Sequence, residues 1–187
     1  MIPCALSIAG SDSSGGAGIQ ADIKTMTALG VYAETVITAL TAQNTQGVQG
    51  VLPIASSFIT QQIESVFSDI RPDAVKIGML PNEDSICAVA RGLRGWQADH
   101  VVLDPVLVAT SGASLSEDGA VAALGKELLP LAEVVTPNIP EAQALSGMPI
   151  ETEDDMVAAG IILCKRGAKA VLIKGGHLQT CADDVLV

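Results

Sequence analysis

Short runs of consecutive apolar residues alternate along the chain with stretches in which apolar residues recur every three or four positions. These are the signatures of buried strands and of amphipathic helices. CALSIAG (4–10) reads as a strand, Gly18 to Leu29 as a helix with Ile19, Ile23, Met26 and Leu29 on one face, and TVITALT (35–41) as a second strand. SFITQQIESVFSDI (57–70) reads as a helix whose face is Ile59, Ile63, Val66, Phe67 and Ile70. DAVKIGML (73–80) is a third strand, followed by a helix over NEDSICAVARGLRGW (82–96) that Asn82 is placed to cap. The strand HVVLDP (100–105), a loop of small residues at 108–118, a helix over AVAALGKELLP (120–130) and the strand EVVTP (133–137) come next. Two helices, NIPEAQALSG (138–147) and EDDMVAAGIILCKRG (153–167), precede the strand AVLIKGG (170–176), and the terminal DDVLV looks like another strand beginning. This alternation predicts an α/β fold: a mostly parallel central sheet with helices on both faces, in a single domain over 1–187. The loop at 108–118 is the expected mobile segment, because it offers little to bury.

Composition narrows the picture. Hydrophobic residues make up 49% of the 187, yet Tyr32, Phe58, Phe67 and Trp96 are the whole aromatic complement. The core is therefore expected to be Val, Ile, Leu and Ala, as in sheets buried on both faces. The formal net charge is −11 with no basic cluster, which argues against a nucleic-acid partner. An anionic ligand would need local amides, a lysine or a metal to offset that charge. No apolar run reaches the length of a membrane span and no secretory leader is evident, so a cytoplasmic protein without a membrane partner is expected. Cys4, Cys87, Cys164 and Cys181 are scattered, which favours free thiols over a zinc site.

Each predicted strand runs out into unusual residues: Gly10-Ser11-Asp12, Gln43-Asn44, Gly78-Met79, Asp104-Pro105, Thr136-Pro137-Asn138, and Lys174-Gly175-Gly176-His177. In a parallel sheet these ends share one edge, where open α/β folds bind ligands. The glycine turn at 15–18 lacks the lysine of a Walker phosphate loop. Residues 16–21 fit the looser dinucleotide pattern, but no acid follows in the second strand to hold a ribose, so a dehydrogenase ranks last. A tight turn whose glycines tolerate positive φ is the plain alternative. Asp22 falls within the apolar stripe of the following helix and is expected to point back beneath the turn, either bonding its amides or accepting from a ligand. Asp104 is a turn aspartate or an oxygen contact to Mg²⁺. Asn138 and Glu141 form the pattern of a capping box, with or without a further role. Lys174 either reaches for phosphate oxygens or snorkels from a strand end. His100 is expected to be structural, and His177 has no evident nucleophilic partner.

Taken in order, AGSDSSGGAGIQADIKT, ITALTAQNTQGV, VFSDIRPDAVKIGML, VVLDPVLVATSG, VVTPNIPEA and VLIKGGH resemble the hydroxymethylpyrimidine/phosphomethylpyrimidine kinases of thiamine biosynthesis, in the ribokinase-like superfamily. The resemblance implies a ribokinase-like fold. It implies ATP-dependent phosphorylation of 4-amino-5-hydroxymethyl-2-methylpyrimidine and then of its monophosphate. In such enzymes the glycine turn lies against the pyrimidine. Gly10, Asp22, Gln43, Met79 and Val106 would then line the substrate pocket. Asn138, Glu141 and Lys174 would serve the nucleotide, and Asp104 and Glu141 would organise Mg²⁺. The family's C-terminal anion-hole motif has no match after Lys174, so no catalytic residue is assigned, and the fold is expected to lack its C-terminal segment. Residues 1–187 alone are then expected to keep pyrimidine contacts but turn ATP over negligibly. An unpaired terminal strand and an apolar edge prone to association are also expected, with a homodimer as the assembly. The alternatives are a pyridoxal kinase with the same site roles and a non-catalytic pyrimidine-binding remnant.

Overall fold

In the computed structural model, which describes residues 2–107, 119–176 and 182–187, the apolar runs assemble into one eight-stranded sheet of order β3-β2-β1-β4-β5-β6-β7-β8. The strands are β1 (Cys4–Asp12), β2 (Tyr32–Asn44), β3 (Gly47–Pro53), β4 (Ala74–Ile77), β5 (Val101–Leu103), β6 (Val134–Val135), β7 (Ala170–Ile173) and β8 (Val185–Leu186). The run from β2 through β1, β4, β5 and β6 to β7 is parallel, and the two edge strands are antiparallel to their neighbours. Helices α1 (Gly18–Ala28), α2 (Ser56–Phe67), α3 (Glu83–Gly95), α4 (Ala120–Ala123), α5 (Ile139–Ser146) and α6 (Glu153–Lys165) connect them. α4 runs on through a π-helical turn (Leu124–Leu128) and a 3₁₀ turn (Leu129–Leu131).

Strand periodicity decides which helix covers which face. In β1, Leu6 and Ile8 are fully buried in a core that also holds Ile59 and Ile63 of α2 and Ile86, Val89 and Leu93 of α3. Ser7 points the other way, where its hydroxyl donates to Asp22 on α1. Helices therefore lie on both faces. α3 begins with the expected Asn82 cap, which is a full box: Asn82 accepts from the Ser85 amide and the Ser85 hydroxyl accepts from the Asn82 amide.

Four expectations change. β2 does not stop at Thr41 but runs on to Asn44 and returns antiparallel as β3, an extra strand. The stripe on α1 is not a buried face: Ile19 is covered, whereas Ile23 and Leu29 are 37% and 75% exposed. Ile70 lies beyond the end of α2 and is exposed. The terminal strand is paired, not free: Leu186 and Val185 face Leu172 and Ile173 of β7, and the Val187 side chain packs against Gly160 of α6.

The edge opposite the strand ends is closed by structural contacts. The Cys4 thiol donates to Glu34 at 3.1 Å, and burial together with that carboxylate pushes it up to about 12. Cys4, Cys87 and Cys164 are free, while Cys181 lies outside the described residues. His100 sits at this edge, exposed and 3.2 Å from Glu133. Among the described residues no helix is long and apolar enough to cross a membrane.

Candidate active site

The glycine turn between β1 and α1 is filled by its own strand. The Asp12 carboxylate accepts from the amides of Ser14 (2.8 Å), Gly16 (2.9 Å) and Ala17 (2.8 Å), and from the Ser14 hydroxyl. The Gly15 amide bonds the Asp12 carbonyl. Burial works against the Asp12 charge, but these hydrogen bonds outweigh it and hold the carboxyl below its ordinary value. The turn amides that would cradle a phosphate are spent on Asp12. α1 has no capping side chain at Ala17, and the Asp12 carboxylate, five residues upstream, takes the Ala17 amide at the entry to the helix.

Asp22 consequently does not bond the turn, as the first of its two expected roles required. Its Oδ2 accepts from Ser7 Oγ at 2.6 Å and Lys76 Nζ at 3.0 Å, and its Oδ1 lies 3.2 Å from the same ammonium. Gly78 makes room for Lys76 here, and Gly10 makes room for Met79. A Cβ at Gly10 would come within 2.7 Å of Met79 Sδ, and one at Gly78 within 2.9 Å of Lys76 Nζ. The tip of β2 is tied to the glycine turn because Ser13 Oγ accepts from the Gln43 amide (3.0 Å) and donates to its carbonyl (2.8 Å).

These groups surround one cavity of about 330 Å³. Gly10, Asp22, Gln43, Met79 and Val106, the residues expected to hold a substrate, all line it, together with Asp104 and Lys76. At the Asp104 end the strands β5, β6 and β7 contribute in turn. Asp104 Oδ1 accepts from Lys174 Nζ at 3.0 Å and from Thr136 Oγ1 at 3.3 Å, so the pair reaches across the end of β6.

Asn138 and Glu141 form a complete capping box on α5: Asn138 Oδ1 accepts from the Glu141 amide and Glu141 Oε2 from the Asn138 amide, both at 2.9 Å, with Pro140 in the first turn. Burial raises the Glu141 carboxyl above its ordinary value, and Asp104 pushes the same way. The amides of Asn138 and Leu107 and the Lys174 charge oppose them. Glu141 thus belongs electrostatically to the Asp104–Lys174 group. Among the described residues no cluster of three or more carboxylate, histidine or cysteine side chains is spaced to hold a metal unaided. Mg²⁺ typically takes only one or two carboxylates and completes its shell with phosphates and water, so Asp104 and Glu141 fit it.

A family model for phosphomethylpyrimidine kinase matches residues 12–187. The chain belongs to the phosphomethylpyrimidine kinase family. It is 54% identical over 176 residues to the hydroxymethylpyrimidine/phosphomethylpyrimidine kinase of Escherichia coli, covering 94% of this chain and 66% of that protein. The solved phosphomethylpyrimidine kinase from Clostridium difficile superposes with a TM-score of 0.94 at 49% identity, over 99% of this chain and 80% of that one. A pyridoxal kinase from Bacillus subtilis, solved as an ADP complex, superposes at 0.89 with 41% identity, over 100% of this chain and 71% of that one. The fold is the ribokinase-like one that the sequence resemblance implied. The chain spans about two thirds of the length of the single-function kinases it matches and 35% of a bifunctional thiamine-biosynthesis protein.

Ser7 and Lys76 were not singled out from the sequence, and Asp12 was noted only as part of a strand-end run. A signal existed for two of them. Asp12 precedes Ser-Ser-Gly-Gly, the composition of an Asx turn, and Lys76 is a charge inside an otherwise apolar strand. The loop at 108–118 and His177 lie outside the described residues.

Proposed function

We propose that the cavity binds 4-amino-5-hydroxymethyl-2-methylpyrimidine and its monophosphate, and that the complete protein phosphorylates both from ATP. The observation that carries this is the gathering of Gly10, Asp22, Gln43, Met79, Val106 and Asp104 around one cavity. Met79 and Val106 offer apolar contact to a ring, while Asp22 and Gln43 offer polar contacts to its edge. The Asp104–Lys174 pair lies toward the phosphate end. Asp104 and Glu141 would hold Mg²⁺, which when bound neutralises charge on the phosphates. Lys174 would exchange its carboxylate partner for a nucleotide phosphate oxygen, and Asn138 would fix the α5 turn beneath it. Such transfers depend mainly on alignment of the hydroxyl with the phosphoryl group and on charge stabilisation, which suits a site of fixed polar groups.

The test is isothermal titration of hydroxymethylpyrimidine and of ATP with and without Mg²⁺. Saturable pyrimidine binding is expected, and its absence would sink the reading. A pyridoxal kinase is the second reading, favoured by the likeness to the Bacillus subtilis enzyme. Tighter binding of pyridoxal than of the pyrimidine would select it.

The exposed Ile23, Leu29 and Tyr32 support a homodimer through the α1 side of the sheet, to be checked by sedimentation velocity. The free cysteines support action in the reducing cytoplasm.

A further inference from the structure

Lys76 is a costly residue for its place. It sits in β4 between Val75 and Ile77, both buried, and its side chain crosses to the α1 face to reach Asp22 at 3.0 Å. The sheet does not need it there, since its backbone pairs with β1 and β5 whatever the side chain. The path of its side chain exists because Gly78 has no Cβ.

The carboxylate it meets is unevenly used. Oδ2 takes both the Ser7 hydroxyl and the ammonium, whereas Oδ1 takes only the longer contact to Lys76 and keeps acceptor capacity. Both side chains line the cavity. Ser7 alone grips one oxygen and leaves the carboxylate free to swing about that bond. A cation touching both oxygens fixes its plane.

We propose that Lys76 is a positioning and specificity residue. With Ser7 it locks Asp22 so that Oδ1 accepts one hydrogen bond from an exocyclic amino group of a heteroaromatic ligand, with Gly78 vacating the space that Lys76 needs. The proposal rests on the reading of the cavity as an aminopyrimidine site. A site aimed at one donor rejects a ligand lacking it, because the acceptor is then left dry and unpaired.

The experiment compares two probes by calorimetry: 4-amino-5-hydroxymethyl-2-methylpyrimidine and its analogue without the amino group. Wild type is expected to prefer the amino compound by about 10- to 150-fold, the range for one charge-assisted hydrogen bond. Lys76→Met should reduce that preference to below about threefold, and Lys76→Arg should restore part of it, which a merely structural role would not do. If Lys76→Met does not fold, Gly78→Ala, whose Cβ pushes the ammonium aside while keeping the charge, is measured in its place, and a partial loss of preference is expected. A wild-type preference retained by whichever variant folds overturns the positioning role and leaves the pyrimidine reading intact. Wild type binding neither probe overturns both.

Discussion

Two lysine–aspartate pairs make the same 3.0 Å contact in different surroundings, one wholly in the cavity wall and one that meets the cavity only through Asp104. Lys76 and Asp22 are 27% and 18% exposed, and Asp22 has a second partner in the fully buried Ser7. Lys174 and Asp104 are 43% and 28% exposed, and reach across a strand end with one long contact to Thr136. The first pair is a fixture, because either member left alone there would be a half-desolvated charge. The second can open at little cost, since water already reaches the ammonium. A pair that must recognise a constant ring belongs in the first setting. A pair that must trade a carboxylate for a phosphate belongs in the second.

The contrast is sharpest in ligand affinity. Asp22→Ala is predicted to weaken pyrimidine binding by about 1.5–3 kcal/mol while leaving Mg-ATP affinity nearly unchanged. Unchanged pyrimidine affinity in a folded variant would confine Asp22 to a structural role. Next comes stability. Lys76→Met should lower unfolding free energy by about 2 kcal/mol, less than the roughly 3–5 of a fully buried broken pair, whereas Lys174→Met should stay within about 1. Equal losses in urea denaturation would erase the distinction between the pairs. The exchange role is tested separately: Lys174→Met should weaken ATP binding about tenfold, and Asp104→Asn should flatten its magnesium dependence. A magnesium titration that matches wild type in Asp104→Asn would remove the metal assignment.

The smallest effect is a matter of pH. Glu141 is raised by burial, so its neutral form is favoured in the folded state; the stability linked to it is complete below the ordinary value of 4.5 and is lost as pH rises through its folded value. Asp12, lowered, has the opposite sign: its contribution is present above 3.8 and is lost on acidification. Glu141→Gln should therefore gain on wild type as pH climbs through the folded value of that carboxyl. Parallel stability curves would contradict this.

The periodic segments were legible in the sequence because their apolar residues repeat on one face: Ile59, Ile63 and Phe67 of α2 are buried as the spacing predicts. β3 was not, since most of its residues are exposed and no alternation marks it. The α1 stripe misled because periodicity reveals an apolar face and not whether a neighbour covers it. In the site, the strand-end rule brought together the residues around the cavity, and the Asn138–Glu141 box followed from its spacing. Asp12 looks locally like a turn residue, and Lys76 is marked only as a charge in an apolar strand, which names no partner. Their roles come from partners up to 54 positions away.

The Asp12 carboxylate also gives the cavity a direction. By neutralising the amino-terminal end of α1 from within, it removes the positive pole that would otherwise draw an anion to that wall. Under the proposed reading, a pyrimidine already carrying one phosphate meets a repelling charge beneath the glycine turn and a lysine at the far end, beside Asp104. Lys76, in the same wall, is already spent on Asp22, so the balance of charge favours the orientation with the phosphate toward Lys174. The anion that sets this preference is part of the cavity wall, held in place by the turn it completes.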